Sequence, residues 1–473
     1  MPGPSEMTQC DLRPLAIVGA TVIDGTGTEP IKNAVVVIQG KRIVGVGDDS
    51  MAIPLEARRI TAVGKYLIPG LMDANVHLLG DVRLETLARH MGHYEDLIAE
   101  AAQIALRSGL TTVFDTWGPR RFLMAARDKI DAGRLPGSRI FCAGNILGFD
   151  GPFSADFQAR DVEVVSELFK DRINAIWCEN VGRHLMWLSP DQVAAEVRAY
   201  ISKGIDFVKY ASNDHAPGSF LAFSPQVQTA IVEEAHRAGL TAQAHTMSVE
   251  GLRIAVEAGC SLIQHANITG PVPIPESTLE LLVKRTTAAV VFPLTKRRFD
   301  LFTEKADAAV RCMWSATDIN ARNLIRSGAS LLMGFDAALH ALDAASDPFS
   351  DWALLGECHF AWFEAMEEKG LAPMEMLKAA TRNIAVAYGK EKDLGTVEAG
   401  KIADLLILDK DPLEAAANYR SIIVVIKEGA VIDRDALPLK PILTKVMEPP
   451  SDEARSFVPF MRKFPSCPMC MRR

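Results

Sequence analysis

Residues 106–115 read LRSGLTTVFD: the end of a helical pattern, a glycine, a short apolar run and a polar residue. Glycine suits the position just past a helix, where φ is positive. A short uninterrupted apolar run is typical of a parallel strand buried on both faces. The same order of features recurs in four further stretches: ISKGIDFVK (201–209), HRAGLTAQAH (236–245), VEAGCSLIQH (256–265) and IRSGASLLMGFD (325–336). The repeat therefore predicts alternating helices and parallel strands.

Three more apolar runs bring the predicted strands to eight. They are GLMDANVHLLG (70–80), RIFCAG (139–144) and AAVVFPL (288–294). Eight β/α units is the count of a closed, TIM-like (β/α)8 barrel. A doubly wound open sheet also alternates, but it does not explain polar residues at the C-terminal ends of so many strands. In a barrel these ends converge on one site, so the α/β barrel is the preferred interpretation.

The two flanks of the chain have a different pattern, rich in short strands with glycine turns. LAIVGATVID (15–24) and NAVVVIQGKRIVGVG (33–47) precede the repeats, and KIADLLILD (401–409) and SIIVVIKEGAVID (421–433) follow them. We predict one small β-sandwich built from both chain ends. The predicted units are sandwich 1–67, barrel 68–390, sandwich 391–437 and a C-terminal tail 438–473.

The composition is that of an ordinary soluble enzyme. The 473 residues are 48% hydrophobic with a net charge of −8, which gives no reason to expect a nucleic-acid partner. The start, MPGPSEMTQC, lacks the features of a signal peptide, and no run of about 18 apolar residues predicts a membrane span. We expect a cytoplasmic protein with reduced thiols. Cys467 and Cys470 could form half of a zinc site, although an unpaired surface tail is the more common case.

Polar residues stand at the predicted ends of several strands. For a single one, a hydrogen-bonded structural role is the commoner explanation, but together they suit a metal: imidazole and carboxylate bind Zn²⁺ and its first-row neighbours. A buried lysine is costly unless it is neutral, modified or paired with an acid such as Asp206 or Asp214. The set comprises Asn75, His77, Lys209, His245, His265 and Asp336.

Other residues near the strand ends are candidates for substrate contact. His215 lies in a loop rich in Gly, Pro and Ser after the fourth strand, where a solvated histidine is the alternative. Trp117, Phe153, Phe157 and Phe220 could line an apolar pocket or simply pack. From this group, His215 and Trp117 are the predicted substrate-binding residues.

Several stretches together resemble the motifs of the amidohydrolase superfamily. They occur in the family's order and the resemblance covers roughly residues 15–435. The stretches are IPGLMDANVH (68–77), DFVKY (206–210), AQAH (242–245), LIQHA (262–266), MGFDA (333–337) and LGTVEAGKIADLLILD (394–409).

The resemblance implies a metal-dependent hydrolase with one or two divalent ions per chain, Zn²⁺ first, with Co, Mn or Fe as alternatives. His245 and His265 would bind one ion. His77, Asp336 and Asn75 would bind the other, and a carboxylated Lys209 would bridge them. Asp336 and His265 would be catalytic, with Asp336 accepting a proton from water and delivering it to the leaving group.

The first-strand motif departs from the usual His-x-His, because Asn75 stands in the first position. Neutral asparagine oxygen is a weaker zinc ligand than imidazole. An Asn-x-His pair resembles the phenylurea hydrolases and the related molinate (thiocarbamate) hydrolases. The resemblance implies hydrolysis of an N,N-dialkyl-N′-arylurea to an aniline, carbon dioxide and a dialkylamine. Because exposed barrel helices often pack into dimers or larger assemblies, we also expect a homo-oligomer.

Three other functions stay open. One is hydrolysis of a thiocarbamate. Another is a dipeptidase or acylamidase activity, for which Lys296, Arg297 and Arg298 could anchor a carboxylate. The third is a non-catalytic scaffold with a decayed site.

Overall fold

The computed structural model describes residues 13–80, 83–157, 165–215, 220–304, 306–338 and 354–444. The strands are β1 Leu15–Val22, β2 Ile31–Gln39, β3 Arg42–Gly47, β4 Arg58–Thr61, β5 Tyr66–Pro69, β6 Leu71–His77, β7 Leu110–Asp115, β8 Arg139–Cys142, β9 Val208–Ala211, β10 Ala242–His245, β11 Leu262–Gln264, β12 Ala288–Val291, β13 Leu331–Met333, β14 Ala337–Ala338, β15 Leu405–Leu408, β16 Ile422–Lys427 and β17 Ala430–Val431.

The helices lie mostly between these strands. They are α1 Leu84–Arg89, α2 Tyr94–Arg107, α3 Arg120–Asp131, α4 Glu167–Cys178, α5 Pro190–Ile201, α6 Pro225–Arg237, α7 Val249–Glu257, α8 Glu276–Lys284, α9 Lys296–Glu304, α10 Ala308–Ser327, α11 Cys358–Glu368, α12 Pro373–Ala379 and α13 Arg382–Ala387, with 3-10 helices at Arg183–Trp187 and Ala416–Arg420. In the part of the chain that is described, none is long and apolar enough to cross a bilayer.

The two ends of the chain build one eight-stranded sheet in the order β17-β16-β15-β5-β1-β2-β3, with β4 paired to β1. Most neighbours are antiparallel, whereas β4 and β5 run parallel to β1. Successive side chains point to opposite faces of the sheet. Ile17 and Val36 lie in one apolar cluster, and Ala16 and Val35 lie in another. The sheet shared by both ends agrees with the sequence analysis. The second layer of a sandwich and the exact domain limits stay predictions.

The strands β6 to β13 follow the predicted parallel repeat and confirm the α/β class. Their hydrogen bonds, as far as the described ranges show, form two sheets, β14-β6-β7-β8 and β13-β12-β11-β10-β9. A single parallel bridge between Leu147 and Tyr210 lies near the gap between β8 and β9. At the other gap β14, which follows β13 in the chain, pairs with β6. This order is consistent with a TIM-like barrel, but the recorded pairing does not close into one ring.

The helix signals read from the sequence are confirmed where they can be checked. Ser189 caps α5 in a reciprocal capping box ahead of Pro190, and Ser224 caps α6 ahead of Pro225. Gly109, after α2, has φ +95°, and a Cβ atom there would lie 2.6 Å from Ile422 of the eight-stranded sheet. Glycine at this position therefore allows the positive φ of the turn. It also lets the end of α2 pack closely against the eight-stranded sheet.

A cluster of charges joins β8 to the eight-stranded sheet. Arg139 donates to Asp404 and, over 2.9 Å, to Glu428 Oε1, while Lys41 Nζ donates to Glu428 Oε2 over 2.5 Å. Burial raises the pKa of Glu428, but the hydrogen bond from Lys41 and the charges of Lys427 and Arg139 outweigh it and lower the pKa to about 2. The ionised carboxylate is therefore favoured in the folded state.

We expect Glu428→Gln to lower the free energy of unfolding by about 1–2 kcal/mol at pH 7, a value reduced for partial solvent screening. Because the folded pKa lies below the ordinary one, this stabilisation is complete above the unfolded pKa and is lost as pH falls toward the folded pKa of about 2. Denaturant unfolding at pH 7, 4 and 3 should show the difference shrinking only at the acidic end. Glu250→Gln, which removes an exposed carboxylate on α7 that pairs with Arg253, is the control and should change stability by less than about 0.5 kcal/mol.

The first part of the predicted tail is held against α1 and α2. Glu100 accepts the backbone N–H of Ile442 at 2.8 Å and of Leu443 at 3.2 Å, and Arg83 donates to the Thr444 carbonyl. These bonds fix residues that the sequence alone assigned to an extended tail. Cys467 and Cys470 lie outside the described residues.

Candidate active site

Two predicted residues meet where β6 ends. His77 is the last residue of β6, and its Nε2 lies 3.2 Å from Asp336 Oδ1. Asp336 does not end a strand as predicted, since β13 stops at Met333 and Asp336 follows with φ +50°. His265 likewise follows β11 directly, with φ +37°. Positive φ is unfavourable for residues with a Cβ and concentrates at functional sites.

Two imidazoles form a second group. The rings of His245 and His265 have centroids 4.5 Å apart at an angle of 74°. His265 Nδ1 donates to the Thr246 carbonyl over 2.8 Å, and the backbone of Asp214 bonds His245. A carbonyl oxygen can only accept, so each ring carries its hydrogen on the nitrogen that faces the carbonyl. The other nitrogen, Nε2, keeps a lone pair that can bind a metal. His245 Nε2 is buried without a partner among the described residues. Metal-binding histidines are commonly oriented in this way.

Burial keeps both imidazoles neutral. It lowers the pKa of His265 to about 4 and the pKa of His245 well below its ordinary value. A neutral ring is the form that can bind a metal.

Lys209 lies inside β9, which continues to Ala211, and not at the end of the strand as predicted. Its side chain is 1% exposed, and Nζ donates to Thr116 Oγ1 over 3.0 Å. Asp206, one of its predicted salt-bridge partners, accepts instead from Arg127 at 3.0 Å. Burial lowers the pKa of Lys209 to about 8, so much of this amine is neutral near pH 8.

Thr116 is a site residue that the sequence analysis missed. It donates to Asn75 Oδ1 and accepts from Lys209, so it connects β6 to β9. Asp115, which precedes it, accepts the Leu78 N–H over 2.7 Å and fixes the chain just after His77. The only signal for Thr116 was its position directly after a strand.

An aromatic wall flanks these groups; it consists of Phe149, Phe157 and Trp117. Phe157 stacks on Trp117 with ring centroids 4.1 Å apart. Trp117 meets His77 edge-on at 5.8 Å, and Phe149 meets His245 at 5.3 Å. The wall is therefore in contact with both groups of predicted ligands.

His215 belongs to the same surface. Its ring stacks on His245 at 5.3 Å and contacts Phe157 at 4.9 Å. Its loop continues into residues 216–219, which are outside the described ranges. Phe153 instead packs on Phe169, and Phe220 is largely exposed. Phe149 was not predicted, because nothing in a single loop sequence shows which aromatic side chain faces the site.

The side chains at the site are of the types that bind divalent metals, namely neutral imidazoles and a carboxylate. Some of their polar atoms, including His77 Nδ1, are buried without a hydrogen-bond partner among the described residues. Within the ranges described, no three His, Cys, Asp or Glu side chains come together as a ligand group. The donors lie instead as the pairs His77–Asp336 and His245–His265. Asn75 and Lys209 are linked through Thr116.

Residues 66–432 match the amidohydrolase family. The chain belongs to the amidohydrolase family. This match spans β5 to β17 and includes the position of every predicted ligand, so the family recognised from the sequence is confirmed.

Solved structures extend this likeness. Molinate hydrolase superposes on this amidohydrolase with a TM-score of 0.87 and 38% identity, covering 93% of this chain and 98% of the other. Phenylurea hydrolase B also gives 0.87, with 37% identity over 92% of this chain and 100% of the other. A Xaa-Pro dipeptidase at 22% identity and a TM-score of 0.70 shares the fold.

Two sequence relatives with lower identity extend the comparison. Ochratoxinase from Aspergillus niger is 26% identical over 422 residues, covering 84% of this chain and 82% of the relative. Imidazolonepropionase from Shouchella clausii is 24% identical over 412 residues, covering 83% and 81%. These two relatives cover more than four fifths of the chain, and the family match covers residues 66–432.

Proposed function

We propose that this amidohydrolase is a metal-dependent hydrolase that cleaves a C–N bond of an N,N-dialkyl-N′-arylurea and releases an aniline. The observation that carries the proposal is the aromatic wall in direct contact with His77 and His245. Phe157, the partly exposed ring of the wall, would offer an aryl group an apolar surface, with the buried Trp117 and Phe149 packed behind it. The likeness to phenylurea hydrolase B and to molinate hydrolase supports this class of substrate.

The proposed metal-binding residues are the six predicted from the sequence. His245 and His265 present Nε2, His77 and Asp336 form a second pair, and Lys209 lies between strands that carry them. Asn75, the sixth residue, has its oxygen bonded by Thr116, and its role is treated separately below. When bound, a divalent metal, Zn²⁺ first, supplies Lewis acidity that polarises a carbonyl and lowers the pKa of water. The near-neutral pKa of Lys209 favours reaction of its free amine with carbon dioxide, which forms a carbamate and releases a proton.

Asp336 has the properties of a proton carrier. Burial raises the pKa of its carboxyl, but the contact with His77, 3.2 Å away, and the nearby His265 and Lys209 outweigh burial and lower the pKa well below its ordinary value. The ionised carboxylate accepts a proton from the attacking water at Oδ and returns it to the leaving nitrogen. The imidazole of His77 holds the carboxylate in place.

Two further substrate classes have observations in their favour. Thiocarbamate hydrolysis is supported by the 38% identity to molinate hydrolase. Amide hydrolysis is supported by the ochratoxinase relationship. A peptide substrate has weaker support, because Lys296, a predicted carboxylate anchor, is 81% exposed and paired with Asp300 at 2.7 Å.

A comparison of three candidate substrates tests the proposal. Purified protein loaded with Zn²⁺, Co²⁺ or Mn²⁺ is given N,N-dimethyl-N′-phenylurea, an S-ethyl thiocarbamate and an N-acyl phenylalanine, and the amine released is quantified. Aniline release at the highest kcat/KM supports the arylurea assignment. A higher kcat/KM for the thiocarbamate or for the acyl amino acid would make that class of compound the substrate. No amine release from any of the three compounds would contradict the proposal.

Removing one ring of the wall is expected to weaken binding of aryl substrates. Phe157→Ala should raise KM for N,N-dimethyl-N′-phenylurea about 10-fold or more, since burying one aromatic side chain is worth about 1.5–3 kcal/mol. KM for the N′-butyl analogue should change less. The control is Phe220→Ala, an exposed ring outside the wall. Equal KM changes for both substrates would mean that the wall does not bind the aryl group.

A further inference from the structure

The side chain of Asn75 is held by a directed chain of hydrogen bonds. Lys209 Nζ donates to Thr116 Oγ1, and the Thr116 hydroxyl lies in hydrogen-bond contact with Asn75 Oδ1. All three side chains are essentially excluded from solvent. The nitrogen of Asn75, Nδ2, is buried without a partner among the described residues.

The hydrogen bonds indicate which end of the Asn75 amide faces Thr116. Lys209 Nζ carries hydrogen as an ammonium, as a free amine and as a carbamate, and it donates to Thr116 Oγ1. The single hydroxyl hydrogen of Thr116 is then free to be donated, and Asn75 Oδ1 accepts it. If the amide were turned around, Thr116 would receive two donors and its own hydrogen would have no acceptor.

The orientation leaves the Nδ2 hydrogens of Asn75 without an acceptor among the described residues. Asn75 and His77 are two residues apart at the C-terminal end of β6, where the pairing with β7 is irregular between Asp73 and Val76. The Cα of Gly334 carries no side chain here, and a Cβ atom on it would lie 3.2 Å from Asn75 Cβ. The packing around Asn75 is therefore tight, which limits rotation of its amide.

We propose that Asn75 acts through its Nδ2 hydrogens on the substrate, and not through its oxygen on the metal. This inference rests on the proposed function. The Nδ2 group would donate to the carbonyl oxygen of the substrate and stabilise the negative charge that grows on it as water adds. Urea, thiocarbamate and amide all have this oxygen, so the role does not depend on which of them is cleaved. Thr116 is the positioning residue, because it holds Oδ1 away from the substrate.

The role predicts a separation between metal content and catalysis. Asn75→Ala should keep the metal per chain of the wild type, measured by elemental analysis, while kcat falls about 10²- to 10³-fold, the usual loss for one oxyanion donor. Asn75→Asp keeps the shape and the bond from Thr116 but offers no N–H, so it should show a similar loss in kcat. As a metal ligand, the aspartate would instead bind at least as well as asparagine.

A probe and a positioning variant give readouts that do not require turnover. Phenyl phosphoramidate carries tetrahedral anionic oxygens, and Asn75→Ala should bind it about 10-fold or more weakly at equal metal content. Thr116→Val removes the hydroxyl at constant shape and should lower kcat about 10-fold with KM little changed. Thr116→Ser restores the hydroxyl and should recover most of that loss.

The outcomes separate this inference from the proposed function. Loss of metal from Asn75→Ala would overturn the inference and restore Asn75 as a ligand. Unchanged kcat or unchanged affinity for phenyl phosphoramidate at full metal content would also overturn it. If the wild type cleaves none of the three candidate substrates, the proposed function fails. The inference is then judged on metal content and probe binding, and a wild type that does not bind the probe counts against it.

Discussion

Asp336→Asn is expected to lower kcat by about 10³-fold while the protein stays folded. Proton transfer by a positioned side chain contributes typically 10²- to 10⁴-fold, and a neutral amide cannot accept the proton that the carboxylate takes. The amide has the same shape and still offers His77 an oxygen at the present 3.2 Å contact. Thermal unfolding and metal content should therefore remain near those of the wild type, while aniline release almost stops.

The control for this variant is Asp300→Asn, an exposed carboxylate on α9 that pairs only with Lys296 in the described structure. It should leave kcat and metal content unchanged. A near-normal kcat in Asp336→Asn with metal present would remove Asp336 from the proton pathway. A loss of metal together with kcat would show that binding the ion, and not proton transfer, is its main role.

His245→Ala is expected to lower metal affinity by at least about 10-fold and to abolish turnover at low metal concentration. Even groups that only orient a metal ligand cost 10- to 100-fold when removed, and His245 presents a bare Nε2 in a buried position. Titration of the apoprotein with Zn²⁺ measures the effect directly. Excess Zn²⁺ should restore part of the activity, because the other donors remain.

His215→Ala is the matched comparison, since the half-buried His215 stacks directly on His245. We propose that it contacts the substrate, so its removal should raise KM for the arylurea and leave metal affinity unchanged. If the two variants lose metal equally, His215 is a ligand that the sequence motifs do not indicate. If neither loses metal, the His245 and His265 pair is not the centre that holds it.

Much of the fold was predictable because its signals are local. The glycine of the repeat marks the positive φ at which α2 ends, and the apolar run after it can only be a buried strand. Capping serines ahead of proline mark helix starts in the same local way. What could not be predicted is how the strands close, since ring closure depends on register between elements far apart in the chain.

The candidate site was predicted less completely. His77, His245 and Asp336 have family motifs around them, but the positive φ of Asp336 has no local signature. Thr116 and Asn75 are 41 residues apart, and their hydrogen bond is visible only after β6 and β7 pair. Phe149 faces the site because of the path of a loop, which a residue pattern does not encode.

The sheet shared by both chain ends has a consequence for biosynthesis. Until Leu405–Leu408 leaves the ribosome, the edge of β5 that it covers has no strand to pair with. At about 5–20 residues per second, synthesis of the intervening chain takes on the order of tens of seconds. During that time an apolar edge is open to pairing with other nascent chains, a recognised route to aggregation. Yield in a heterologous host should therefore depend on translation speed and chaperone supply more than on the stability of the finished protein.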